Sequence, residues 1–146
     1  MRNTVLLLLT LSILPGCNDD ENTDQNDQIL GSWQLTKISQ WGISEVNGEG
    51  EWELFEENYS EFGITFTFLA DGTLTIDRGS SPSRLDWLNI YHQAKYEFGY
   101  FHLGFSGPKV LLVKINDGKL TYFYDGITMI IGTSYVDGID LHFIKK

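Results

Sequence analysis

Apolar and polar residues alternate with a period of two along most of the chain. In Ile64-Thr65-Phe66-Thr67-Phe68 the apolar side chains fall on one face and the threonines on the other, the pattern of a half-buried strand. Asp71-Gly72 then supplies a hairpin turn signal, and Leu74 and Ile76 resume the alternation with Thr73 and Thr75 opposite. The same grammar recurs twice. Segments 109–115 and 120–124 flank Asn116-Asp117-Gly118, and segments 127–136 and 139–143 flank Asp137-Gly138. Segments 30–39 and 94–103 are further strands. Segment 85–92 is ambiguous: Leu85, Leu88 and Tyr91, with Trp87, fit a short helix or an irregular strand.

The pattern predicts an all-β domain of about eight to nine antiparallel strands. No useful helical period separates the strands, which argues against βαβ folds. Consecutive hairpins favour an antiparallel up-and-down β-barrel of about eight strands, because closure removes the sheet edges. A β-sandwich is the alternative. The inward face is expected to hold Phe66, Phe68, Leu74, Ile76, Phe98, Val113, Tyr122 and Leu141. These side chains are mostly large. They are candidates to line a cavity, or to fill a small barrel completely.

The N-terminus reads differently. Arg2 precedes an apolar run over residues 5–14, far shorter than the roughly 20 residues of a membrane span. Leu14-Pro15-Gly16-Cys17 ends it and resembles a bacterial lipobox. That resemblance implies a diacylglycerol thioether on Cys17, cleavage before it and acylation of the new N-terminus. Several acyl chains suffice for stable anchoring. Residues 18–28 carry five acidic side chains and no basic one, and cannot bury enough surface to order themselves. Asp19-Asp20-Glu21 resembles the acidic export signal of surface lipoproteins of Bacteroidota. The expected organisation is a signal peptide over 1–16, a lipidated cysteine and acidic tether over 17–28, and one domain over 29–146. The expected location is the outer membrane, on its periplasmic face or at the cell surface.

Charge narrows the function. With 20 acidic against 10 basic residues the net charge is −10. No basic stripe is available for nucleic acid, and electrostatic docking on an anionic membrane is disfavoured. A 42% apolar and 14% aromatic composition is that of a folded chain. The single cysteine excludes an intrachain disulfide and a thiolate-rich zinc site.

Ile29-Leu30-Gly31-Ser32-Trp33-Gln34-Leu35-Thr36 resembles the opening strand of lipocalin-like domains, with their Gly-x-Trp signature at Gly31 and Trp33. Phe66-Thr67-Phe68-Leu69-Ala70-Asp71-Gly72-Thr73-Leu74 resembles the following hairpin of lipocalin-like bacterial lipoproteins, with Asp71 and Gly72 at its turn. The resemblance implies a calycin-type barrel. In it Trp33 packs into the closed end and Gly31 permits close backbone approach. Two family features are missing. No arginine follows Arg84 to pack over the tryptophan, and the Arg-x-Tyr pair of fatty-acid-binding relatives is absent. A fatty-acid ligand is therefore not implied.

Chemistry-bearing motifs are scarce. His92, His102 and His142 have no metal-ligand spacing, and neither a Gly-x-Ser-x-Gly elbow nor a glycine-rich phosphate loop occurs. The expectation is a non-enzyme with no cofactor and no metal. The stretch 45–61 has seven glutamates, no basic residue and the aromatics Trp52, Phe55 and Tyr59. It is expected to be a long first loop, either a lid over the barrel mouth or a solvated connection. Trp87, Tyr91, Tyr96, Phe98, Tyr100 and Phe101 are candidates for core or for a pocket with polar tips. The expected function is a membrane-anchored lipoprotein whose barrel binds a small apolar or amphipathic ligand without catalysis. The alternative is a filled barrel that acts as a protein- or glycan-interaction module of the cell envelope.

Overall fold

A computed structural model describes residues 28–46, 49–102, 107–133 and 138–146, with backbone only at positions 46 and 49. Cys17, the tether up to residue 27 and Asp137 lie outside the described residues. Among the described residues nine strands follow in order: β1 Gly31–Val46, β2 Glu49–Asn58, β3 Thr65–Phe68, β4 Thr73–Asp77, β5 Ala94–His102, β6 Lys109–Ile115, β7 Gly118–Tyr124, β8 Thr128–Gly132 and β9 Ile139–Lys145. All pairings are antiparallel. β1 pairs with β3 on one side and with β9 on the other, so eight strands close into an up-and-down barrel rather than a sandwich. β2 is the ninth strand and pairs with β1 outside that ring.

The alternation in the sequence sets the faces. Phe66 stands opposite Ile76 and Phe68 opposite Leu74, and all four are buried. Thr67 opposite Thr75 makes the outward pair. The turn between them needs Gly72, at φ +76°, and Asp71, whose Oδ1 accepts from the Thr73 amide at 2.9 Å. Hydrogen bonds from Thr73 hold the Asp71 carboxyl below the usual carboxylate range.

Trp33 is fully buried at one end of the barrel. Its indole Nε1 donates to the Ile29 carbonyl at 2.8 Å, and its ring meets Tyr124 edge-on at 5.7 Å. The Lys145 ammonium lies 5.2 Å from the ring centroid, within cation–π range. A late lysine thus covers the tryptophan where no late arginine exists. Pairing of Trp33 opposite Lys145 across β1 and β9 puts it there.

One expectation needs correction, and one open alternative is decided. The acidic stretch is not a long loop: β2 pairs with β1 from Lys37 opposite Asn58 to Val46 opposite Glu49. Glutamate is a poor strand former, but Glu51-Trp52-Glu53-Leu54 alternates, and cross-strand packing outweighs intrinsic propensity. Of the two forms open to segment 85–92 the chain takes the helical one: residues 85–91 lie in a 3-10 helix, Ser83–Tyr91, with His92 at its C-cap. Pro82 at its N-cap starts it, and Leu85 and Leu88 become its buried side.

β1 carries a bulge. Its register against β9 shifts between Leu35 and Lys37, which leaves Thr36 as the extra residue. Thr36 Oγ1 donates to the His142 carbonyl at 3.1 Å, and the Thr36 carbonyl accepts from the Tyr59 amide at 2.7 Å. Beyond the bulge, Ser39 is buried on the outer face, where its Oγ lies 2.7 Å from His142 Nε2.

Replacing Trp33 by phenylalanine removes the bond to Ile29 and part of the buried ring. The expected cost is about 1–3 kcal/mol, read as a lower denaturation midpoint with unchanged slope. His142 gives a pH signature. Burial, assisted by Lys37, pushes its imidazole below the usual 6.5, while Asp140 and Glu56 oppose the shift. The folded state then binds protons less well than the unfolded state. Its stability contribution is complete above pH 6.5 and is lost as pH falls through the lower folded value. Melting curves between about pH 8 and 5 should show a drop that His142→Gln makes shallower.

Candidate functional site

The end of the barrel away from Trp33 is closed by the 3-10 helix. Leu85 and Leu88 sink into the core, and Trp87 and Tyr91 pack against it. Tyr91 also meets the core ring of Phe66 at 6.2 Å and Trp87 at 6.3 Å. The helix can lie there because β4 and β5 share only two residue pairs, Thr73 with Lys95 and Leu74 with Ala94. Where the ladder stops, the Ile76 amide donates to His92 Nδ1 at 3.2 Å.

Arg78 clamps the helix from its start. Its guanidinium donates to Ser81 Oγ at 2.8 Å, Asn89 Oδ1 at 3.0 Å and Asp86 Oδ1 at 3.1 Å. Gly79 makes the approach possible. It has φ +50°, and a Cβ there would collide with the Phe62 carbonyl oxygen. The Ser80 amide donates to that same carbonyl at 2.9 Å, which pins the lead-in to the β3 side of the barrel.

Among the described residues, two cavities that share Trp87 lie at this mouth. The first measures about 280 Å³ and is walled by Tyr91, Leu120, Ile131, Ile139 and Leu141, with Gln40 and Thr133 as polar members. Leu120, Ile131 and Leu141 belong to the core, so the cavity reaches into the barrel interior. The second measures about 230 Å³, between the helix and the root of the first hairpin, and includes Ile38, Phe55, Tyr59, Leu85, Glu57 and Arg84. Gln40, Trp87 and Ile139 border both.

The mouth carries little net charge. Arg84 pairs with Glu57 at 2.8 Å, and its guanidinium lies 5.6 Å from the Tyr59 ring centroid. The Tyr59 hydroxyl also donates to Glu57. Burial and Glu57 push the Tyr59 phenol up, against the pull of Arg84. Burial raises Tyr91 as well. Both phenols are therefore neutral around pH 7. Such a lining favours an uncharged or amphipathic guest over an ion.

A third cavity of about 470 Å³ lies near Trp33, between Ile29, Leu30, the Gly72 turn and the β5 residues Tyr96, Phe98 and Phe101. Ile29 is its one fully buried core residue, so it is a cleft beside the barrel more than an opening into it.

Of the eight residues expected to line a cavity, Leu141 walls the mouth and Phe98 walls the cleft. Phe66, Phe68, Leu74, Ile76 and Val113 are buried in the packed core. Tyr122 packs edge-on against Phe98 at 4.6 Å. Its hydroxyl is buried with no hydrogen-bond partner among the described residues, and burial raises its phenol well above the usual value. These six residues border none of the three cavities. The sequence reading missed Gln40, which points inward only because of the bulge, and Ile131, Thr133 and Ile139, which join the mouth through β8 and β9. The histidines stand apart: His92 meets Ile76, His102 Nδ1 meets the Gly107 carbonyl at 2.9 Å, and His142 meets Ser39. Among the described residues no three His, Cys, Asp or Glu side chains gather into a metal-sized cluster.

Arg78→Ala should loosen the helix at a cost of about 1–3 kcal/mol. Acrylamide quenching reads this out in a Trp41→Phe/Trp52→Phe background, where Trp87 is the accessible indole. Quenching is expected to rise in Arg78→Ala and to be only partly restored in Arg78→Lys, since one ammonium cannot replace a fork. No protein-family model, curated protein sequence or solved structure matches the chain.

Proposed function

We propose that this chain is a membrane-anchored lipoprotein with a lipocalin-like barrel, which binds a small apolar or amphipathic ligand at its mouth without catalysis. The observation that carries the reading is the cavity of about 280 Å³ walled by core residues and flanked by Trp87. Its volume falls just below the range of about 300–1,000 Å³ for drug-sized ligand sites. It equals about nine water volumes at roughly 30 Å³ each, enough for a short chain or a single ring. Six methylenes buried there would contribute about 5 kcal/mol, before the cost of association. Gln40 and Thr133 at the rim would orient a polar head group.

The anchor rests on the sequence. Leu14-Pro15-Gly16-Cys17 supplies the lipid attachment motif, and the acidic residues from Asp19 to Asp27 space the barrel from the outer membrane. The family reading rests on Gly31 and Trp33 in β1 and on the Asp71-Gly72 hairpin. The reading without catalysis rests on the sequence, which carries no Gly-x-Ser-x-Gly elbow and no glycine-rich phosphate loop.

The test is native mass spectrometry of the full chain extracted from bacterial membranes, with collisional release. A stoichiometric small amphiphile is expected, together with acyl mass on Cys17. Leu141→Trp should fill the mouth and lose the amphiphile while keeping the acyl mass. A ligand-free wild-type mass, with no binding of 1-anilinonaphthalene-8-sulfonate, overturns the ligand reading. Loss of acyl mass in wild type overturns the anchor.

A further inference from the structure

The first hairpin leaves the barrel. The pairing of β1 with β9 ends at Gln40 opposite Ile139, but β1 continues to Val46. Those six further residues extend about 20 Å at the usual strand rise, paired with β2 alone among the described residues. β2 is the terminal strand of the sheet, so its far edge has no strand beside it.

The two faces of this ribbon differ. Trp41 stands opposite Leu54 and Ile43 opposite Trp52, so all four share the outer face. They are 46%, 40%, 61% and 56% exposed, in the order Trp41, Leu54, Ile43, Trp52. This one face thus holds four of the eleven large exposed apolar side chains described, while Phe55, opposite Gln40, lies on the other face. The exposure is therefore a patch and not scatter, and patches of this kind mark interaction sites. The other face carries Glu51 opposite Ser44 and Glu53 opposite Gly42. The nearby cations are used at the root, Lys37 on Glu56 at 2.5 Å and Arg84 on Glu57 at 2.8 Å. No ion pair reaches Glu45, Glu51 or Glu53 among the described residues.

We propose that the open edge of β2 receives an extended segment of a partner protein in which apolar residues alternate with lysine or arginine. Strand addition supplies the main-chain hydrogen bonds that the edge lacks. The alternation of the guest then matches that of the host. Its apolar residues continue the Trp52–Leu54 stripe, and its cations meet Glu51 and Glu53. Charge argues against a second copy, because edge-to-edge pairing of two β2 strands sets glutamates against glutamates. It also argues against an anionic lipid surface. This site goes beyond the ligand reading: Glu51, Trp52, Glu53 and Leu54 wall neither mouth cavity.

The experiment is fluorescence anisotropy of a labelled peptide, Lys-Val-Lys-Val-Lys-Val-Lys, titrated with the full chain in neutral detergent at low salt. Three comparisons accompany it: a peptide N-methylated at alternate residues, a Glu-Val peptide, and the Glu51→Lys/Glu53→Lys chain, whose fold is checked by circular dichroism. The plain peptide is expected to bind at least tenfold tighter than either control peptide, and to lose at least tenfold against the charge-reversed chain. Equal binding of the N-methylated peptide reduces the contact to bulk charge and overturns strand addition. Absence of peptide binding, with the chain dimeric in solution or bound to anionic vesicles, overturns the choice of partner.

Discussion

The bulge at Thr36 is the constraint on which the rest depends. A strand with unbroken alternation that buries Trp33 and Leu35 would turn Ile38 and Gln40 outward. One extra residue reverses the faces, so Ile38 joins the core margin and Gln40 enters the mouth. The extra residue is held by its neighbours. Its hydroxyl reaches β9 at the His142 carbonyl, and its own carbonyl takes the Tyr59 amide from the return of the hairpin. The same residue therefore ties barrel closure on one side to the exit of β2 on the other. Without that tie the long strand would have no defined point at which to stop being a barrel stave and start being a ribbon arm.

Filling and opening are divided between the ends of the barrel. Around Trp33 the packing is aromatic, with Tyr124 at its edge and Lys145 over its face. Farther along, Phe66 and Phe143 meet at 4.9 Å and leave no room for a guest. A small barrel with phenylalanines on successive inward positions is filled by its own side chains. Among the described residues, space at the mouth survives where the inward residues become smaller or aliphatic, at Thr133, Ile139 and Leu141, and where the short β4–β5 seam lets the helix replace a strand. The helix is held by polar contacts from Arg78 and Asp86, but it buries only Leu85 and Leu88 completely.

How much of this the sequence shows depends on what each residue must satisfy locally. The β3–β4 hairpin is legible to the residue, because alternation and Asp71-Gly72 are both short-range signals. So is β6, whose bounds match the expected segment 109–115. β8 runs Thr128–Gly132, shorter than the expected 127–136: Ile127 and Thr133 flank the strand, and positions 134–136 lie outside the described residues. β2 was illegible because its strand character comes from pairing with β1, and its glutamates imitate a solvated loop. The helix was half legible: the apolar spacing at Leu85, Leu88 and Tyr91 allowed it, but only the gap beside β4 selects it. At the site, Leu141 was found because it alternates. Gln40 was not, because a bulge is invisible to periodicity.

The ribbon and the mouth are distinct surfaces on one strand pair. On β2, Phe55 walls the cavity beside Trp87, while Leu54, one residue earlier, lies on the outer stripe. On β1, Gln40 walls the mouth and Trp41 begins the ribbon. Period-two alternation alone accounts for this: neighbours in a strand face opposite ways, so one segment can present an enclosed lining and an exposed apolar face at once. The Arg84–Glu57 pair then fixes the root of β2 to the helix that covers the mouth. It is a surface pair and adds little stability. Its structural effect is positional: the base of the ribbon and the cover of the cavity keep a set distance, although no backbone hydrogen bond joins them.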